Sequence, residues 1–164
     1  GTSPLQYEPV GNKSPSNFES KLSKRVLSNT TDIQYPIDFL SLATMSREIA
    51  SAFSQHFYQT LDTNVDGLSS LYFERSMMTF EGEEYGGSQA IIGKLKKVGQ
   101  VKHVIKSIDI QPSTTDQALV LFVTGSVSIG NDNPLHFCEM FQLVQPVPNQ
   151  WQILNDVFRL NYGM

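Results

Sequence analysis

With 164 residues and 40% hydrophobic side chains, the chain has material for one ordinary hydrophobic core and a single domain. A formal net charge of −4 weighs against nucleic acid as the main ligand, since a phosphate backbone is held by a basic face. No uncharged apolar run approaches the roughly 18 residues of a spanning helix, so no membrane partner is expected.

Residues 1–44 are rich in Ser, Pro, Asn and Thr, and Pro4, Pro9, Pro15 and Pro36 interrupt any long helix. Phe18, Leu22 and Val26 recur at helical spacing, which predicts a short amphipathic helix after Ser16 or Asn17. This stretch holds four basic and four acidic side chains, leaving 8 Lys plus Arg against 12 Asp plus Glu beyond it. The division expected is an N-terminal extension over 1–44, of low apolar density and partly disordered, then a domain over 45–164.

From Met45 onward the pattern sharpens. Ile49, Phe53, Phe57 and Leu61 trace one face of a helix, and Asp62 to Gly67 reads as a turn. Asp66 is placed to cap a second helix through Leu68, Leu71 and Tyr72. Met77–Phe80 and Glu84–Tyr85 flank a Glu-Gly-Glu turn, which predicts a hairpin. Ser88 is placed to cap a third helix with Ile91, Ile92, Leu95 and Val98 as its buried stripe. Strands are expected at about 101–110, 118–129, 135–145 and 151–162, separated by turn-forming residues. The fold class is α+β: a cone-shaped, strongly bent, mainly antiparallel sheet with three helices packed on its concave side and a pocket at the wide end.

The last strand is unusually informative. With a period of two, Leu154, Asp156, Phe158, Leu160 and Tyr162 share one face, placing a carboxylate in an apolar row. Trp151, Ile153, Asn155, Val157 and Arg159 form a mixed second face. Cys138, the single cysteine, has no internal partner; this suits a reducing compartment, and in a strand it reads as a small buried apolar group.

The Asn155-Asp-Val-Phe-Arg-Leu160 run resembles the closing strand of the nuclear transport factor 2 family. Phe53-Ser-Gln-His-Phe-Tyr-Gln-Thr-Leu-Asp62 resembles that family's first helix. Leu71-Tyr72 followed by Met78-Thr-Phe-Glu-Gly82 resembles its second helix and first hairpin, so the likeness runs from about Ser46 to Tyr162. The resemblance implies a homodimeric nuclear import carrier for the GDP-bound small GTPase Ran. Such a carrier crosses the nuclear pore on FxFG nucleoporin repeats and is found in cytoplasm and nucleus, concentrated at the nuclear envelope. It implies that Phe80 and Glu81 stand at the rim of the cone, receiving an aromatic side chain of Ran and pairing with one of its lysines. Pocket walls are then expected from Phe80, Val98, Val104 and Val157. In the Gly130-Asn-Asp-Asn133 loop, where the family usually offers two or more acids, only Asp132 can serve.

The aromatic that family members place before the first helix is absent at Ser46-Arg47-Glu48. The nucleoporin-binding residues are therefore unassigned, with Phe39 and Leu40 as substitutes. An adaptor of the same fold in mRNA export or a scaffold complex is the first alternative. A cone-fold isomerase or dehydratase using Asp156 is the second, although no pair of acids plus a Tyr is implied by spacing, and His56, His103 and His136 are scattered. No cofactor is expected, and no HxH, HxxxH or CxxC spacing points to a metal. Lys94, Lys96 and Lys97 read as a solvated helix face, and Glu81, Glu83 and Glu84 as a hairpin cluster able to steer a basic partner.

Overall fold

Helix α1 runs Ile37–Thr63, so its first turns lie upstream of Met45, and its apolar residues recur every three or four positions. Ala50, Phe53, Phe57 and Leu61 are all buried as that spacing dictates. The structure is a computed structural model that describes residues 37–115 and 117–162, with side chains from residue 46. The amphipathic helix expected at Phe18, Leu22 and Val26 lies outside the described residues, as do the side chains of Phe39 and Leu40.

After α1 comes a 3-10 turn, Val65–Ser70, then β1 (Tyr72–Phe80), β2 (Glu83–Gly86), α2 (Ser88–Val98), β3 (Val101–Pro112), β4 (Ala118–Ile129), β5 (Leu135–Val147) and β6 (Gln150–Asn161). The second helix expected from the sequence is thus a single 3-10 turn. Its N-cap position is Asn64, not Asp66, and Tyr72 already belongs to β1. Ser88 is the first residue of α2 rather than its cap; its hydroxyl donates to the Ser69 carbonyl. The hairpin, α2 and the last four strands stand where the sequence puts them.

The sheet order is β2-β1-β6-β5-β4-β3, antiparallel except for the β1–β6 pair. It is curled without closing, and irregularities in register supply the bends. In β1 the ladder skips between Tyr72 and Met77; Ser76 pins the bulge, accepting from Phe73 N–H and donating to the Ile153 carbonyl. In β3 the skip falls between Ile105 and Ser107, opposite Gly125. A Cβ at Gly125 would stand 2.4 Å from the Val104 carbonyl oxygen and 2.9 Å from the Phe137 ring, so only glycine admits this approach.

The third irregularity corrects the two-face reading of the last strand. Leu143 pairs with Ile153 while Gln142 pairs with Asn155, so Leu154 is an extra residue and the facing of β6 changes there. Ile153, Asp156 and Phe158 are buried together, which a strict period of two forbids. Inside the curl, the Phe53 and Phe57 rings meet Phe141 edge-on at 5.2 and 4.8 Å, joining α1 to the inner face of β5. Cys138 is half-buried on the outer face, not sealed in the core.

Candidate functional site

A pocket opens where the last residues of α2, β1, β4 and β6 meet the start of β3. Its apolar wall comes from Leu61, Leu95, Val98, Val101, Val127, Ile129, Phe80, Phe158 and Leu160, and its polar residues are His103 and Glu139. The space open to the centres of water molecules is about 80 Å³, several times the ~10–15 Å³ that one water needs on that measure. One side is an aromatic stack: Phe80 lies over Phe158 at 4.7 Å and 7°, and Phe158 over Phe137 at 5.5 Å. Lys94 sits 5.1 Å from the Phe80 ring and 5.2 Å from Tyr85, held by Glu83 at 2.7 Å. Lys94, on α2, therefore packs over the pocket residue Phe80 and is not a free solvated lysine, and its pairing with Glu83 ties the hairpin to α2. Lys96 pairs with Asp66.

Glu81 follows Phe80 in the left-handed region, with φ of 52°. Its backbone N–H donates to the Phe158 carbonyl at 3.2 Å, and its Oε1 accepts the Leu160 N–H at 2.6 Å. Tyr162 reaches Oε2 at 3.4 Å. The carboxylate thus continues the β1–β6 ladder beyond its last backbone pair and is fixed beside Leu160 at the pocket mouth. Because Glu81 is half-buried and bonded, it differs from the freely exposed hairpin acid that the sequence suggests.

Phe80 and Val98 line the pocket; Val104 and Val157 do not. Val101 and His103 face inward on β3, so the alternation turns Val104 outward, where it is 55% exposed. Val157 lies between inward-facing Asp156 and Phe158 and therefore faces out as well. Asp132 is exposed in the β4–β5 turn, whose Gly130 N–H is tied to the Gln100 carbonyl at 2.8 Å; the turn directly follows pocket residue Ile129.

Behind the pocket lies a cluster that sequence spacing does not reveal. Tyr58 donates to Glu139 and Tyr72 to Asp156, each at 2.6 Å, from elements more than eighty residues away. Glu139 and Asp156 are 4% and 1% exposed. Burial, reinforced by the Asp156 charge, holds the Glu139 carboxyl well above the usual carboxylate range. Burial also pushes Asp156 up to about 6, against the hydrogen bonds from Tyr72 and Glu139 that lower it. Asp156 Oδ1 has no donor if both carboxyls are ionised, and a proton on Glu139 supplies one. The two acids thus share a proton, and both tyrosines stay neutral, their pKa values raised by burial and by these charges. Spacing implied no pair of acids with a Tyr; in the structure two acids and two tyrosines meet, because β5 and β6 are neighbours, β1 lies beside β6, and α1 packs on their inner face.

His103 is the other residue that the sequence undersells. Its Nδ1 lies 2.6 Å from Asp62 Oδ1 and its backbone N–H 2.9 Å from Asp62 Oδ2. Burial lowers its pKa, an effect that Asp62 partly offsets. His56 and His136 are exposed. Among the described residues no group of three or more His, Cys, Asp or Glu is placed to hold a metal.

This curled sheet, with its pocket and its acid fixed at the mouth, is the architecture of a nuclear transport factor 2-like domain. The sequence pattern of the Nuclear transport factor 2 (NTF2) domain matches residues 49–160. The chain is 46% identical over 118 residues to Nuclear transport factor 2 of Oryza sativa subsp. japonica, covering 70% of this chain and 96% of that protein. With Nuclear transport factor 2B of Arabidopsis thaliana the identity is 41%, covering 70% of this chain and 94% of that one. The solved structure of nuclear transport factor 2 from Cryptosporidium parvum superposes with a TM-score of 0.66 at 36% identity, covering 71% of this chain and 94% of that one. The chain belongs to the nuclear transport factor 2 family.

Proposed function

We propose that this chain is a nuclear import carrier for GDP-bound Ran, crossing the pore by binding FxFG nucleoporin repeats. The observation that carries the reading is the apolar, aromatic-stacked pocket with Glu81 fixed at its mouth. An aromatic side chain inserted between Phe80 and Val98 buries apolar area, while a lysine beside Glu81 meets a charge already oriented for it. Asp132, on the turn after Ile129, adds a second acid on the same side. Val104 and Val157 are released from this role by their outward facing.

The outward face supplies the second half of the proposal, a homodimer. Phe122 pairs with Met140, and Met140 with Val157, forming an apolar row across β4, β5 and β6. Met77 at 41% and Phe122 at 43% exposure flank or form this row, which a second copy would cover. Residues 45–164 are proposed as the carrier domain and 1–44 as an appendage dispensable for folding. Concentration at the nuclear pore follows from the repeat binding. The test is capture of Ran loaded with GDP or GTP by immobilised protein: the GDP form should be retained and the GTP form should not. Retention of neither contradicts the reading.

The buried acid pair favours one second reading, a pocket enzyme in which Glu139 exchanges a proton with a bound small molecule. Asp156 does not line the pocket, which removes the residue on which that alternative was first built. Turnover of a pocket ligand lost in Glu139→Gln is the result that supports it.

A further inference from the structure

Strand register puts three side chains of the β1–β2 hairpin on one face. Phe80 stands opposite Glu83 and Met78 opposite Tyr85, so Phe80, Glu83 and Tyr85 share the inner face to which buried Met78 points. Among the described strands β2 pairs only with β1, at one end of the sheet, so its inner face has to be held from another element. Lys94, three residues after buried Ile91 on α2, supplies that hold. Its Nζ donates to Glu83 Oε2 at 2.7 Å, and the Tyr85 hydroxyl donates to the same oxygen at 2.6 Å. The ammonium also lies 5.1 Å from the centre of the Phe80 ring and 5.2 Å from that of Tyr85. The hydrogen bond between them raises the Lys94 pKa and lowers that of Glu83, so both stay charged at neutral pH. Phe158 covers one face of Phe80 and Lys94 takes the other, which leaves the edge of the ring turned to the pocket it lines.

We propose that Lys94 is a positioning residue for Ran recognition: bound to Glu83 and packed on Phe80 and Tyr85, it fixes the Phe80 ring in the pocket wall and leaves Glu81, not Glu83, as the acid beside Phe80 that meets a partner's cation. The proposal rests on the carrier reading and adds to it a residue that acts through others. Without the ammonium one face of Phe80 is bare and the ring is free to turn, so binding has to order it first and is weaker. Glu83, released from its cation, then competes with Glu81 for an incoming lysine.

Two variants separate position from charge. Lys94→Met combined with Glu83→Gln removes one charge of each sign, so the net charge, and with it the long-range attraction to a partner, stays as in the parent. Lys94→Arg keeps a cation over both rings and a donor for Glu83. The experiment titrates Ran-GDP calorimetrically into the full chain of the parent and of each variant, and follows the Phe80 ring-carbon signals by NMR without Ran.

Lys94→Arg should bind Ran-GDP within about twofold of the parent and keep the Phe80 signals sharp. The double variant should bind about fivefold more weakly, the size of one exposed cation–π contact, and its Phe80 signals should shift and broaden. Equal Ran-GDP affinity of parent and double variant, unchanged Phe80 signals in the double variant, or Lys94→Arg as weak as the double variant overturns the proposal. A parent that takes up no Ran-GDP contradicts the carrier reading instead, and the Phe80 signals then decide by themselves whether Lys94 holds the ring.

Discussion

Glu81 carries a structural and a recognition role in one carboxylate. Its Oε1 satisfies the Leu160 N–H, so replacing it without an acceptor leaves a partly buried donor unpaired, at a cost of about 1–3 kcal/mol. Glu81→Lys should therefore lower the melting temperature as well as Ran affinity. Glu81→Gln keeps an acceptor oxygen and should melt close to the parent while losing the charge. Thermal melts of the two variants check this, and equal melting would show that the ladder extension contributes nothing.

The acid pair gives a second residue-scale prediction. Unfolded, Asp156 has the ordinary value near 4; folded, it stands at about 6. The folded state thus binds more protons, and the stability this pair supports is full below about pH 4 and is lost as pH rises through about 6. Glu139→Gln can accept from Tyr58 and donate to Asp156 Oδ1 at any pH. It should raise stability by about 1–3 kcal/mol at pH 8 and flatten the slope between pH 4 and 7. Denaturant titrations across that range are the measurement; parallel curves for parent and variant contradict the shared proton.

At the scale of elements, amphipathic helices and turn residues were legible, while departures from regular period were not. The stripe Phe53, Phe57 and Leu61 and the stripe Ile91, Ile92 and Leu95 are buried as their spacing predicts, because a helix has one period and one core-facing side. In β6 one extra residue at Leu154 reverses the facing of all that follows, and nothing local in Gln152-Ile-Leu-Asn155 announces it. Val104 and Val157 were expected on the pocket wall from the family resemblance alone, and strand alternation turns both outward. The Tyr58–Glu139 and Tyr72–Asp156 contacts are long-range products of strand order, invisible to spacing within one segment. Of the pocket, Phe80, Glu81 and Val98 were legible through family resemblance; His103 and Asp62 carried no local motif. Gly125 is where an element-scale claim is most exposed. Gly125→Ala should cost about 1–3 kcal/mol or more, because the clashing atoms include the Val104 backbone oxygen, which cannot swing aside. A melt within error of the parent would mean that the β3 bulge relaxes freely.

At the scale of the whole molecule, the two faces of one sheet are proposed as separate recognition surfaces. The inner face closes on the pocket; the outer row Phe122, Met140 and Val157 is assigned to a second copy. Sedimentation at micromolar concentration should give twice the 18.4 kDa chain mass, and Phe122→Glu should give the monomer, since a charge in a desolvated apolar interface has no partner. A monomeric parent would remove the outer face from the proposal.

The central claim is that the pocket and Glu81 together receive GDP-bound Ran. Calorimetric titration of Ran-GDP into the parent and Glu81→Gln tests it most directly, because that variant leaves the ladder acceptor in place. Binding to the parent should be saturable, and affinity for Glu81→Gln should be at least about thirtyfold weaker, the loss of one partner from a partly desolvated ion pair. Equal affinity of the two proteins for Ran-GDP would contradict it.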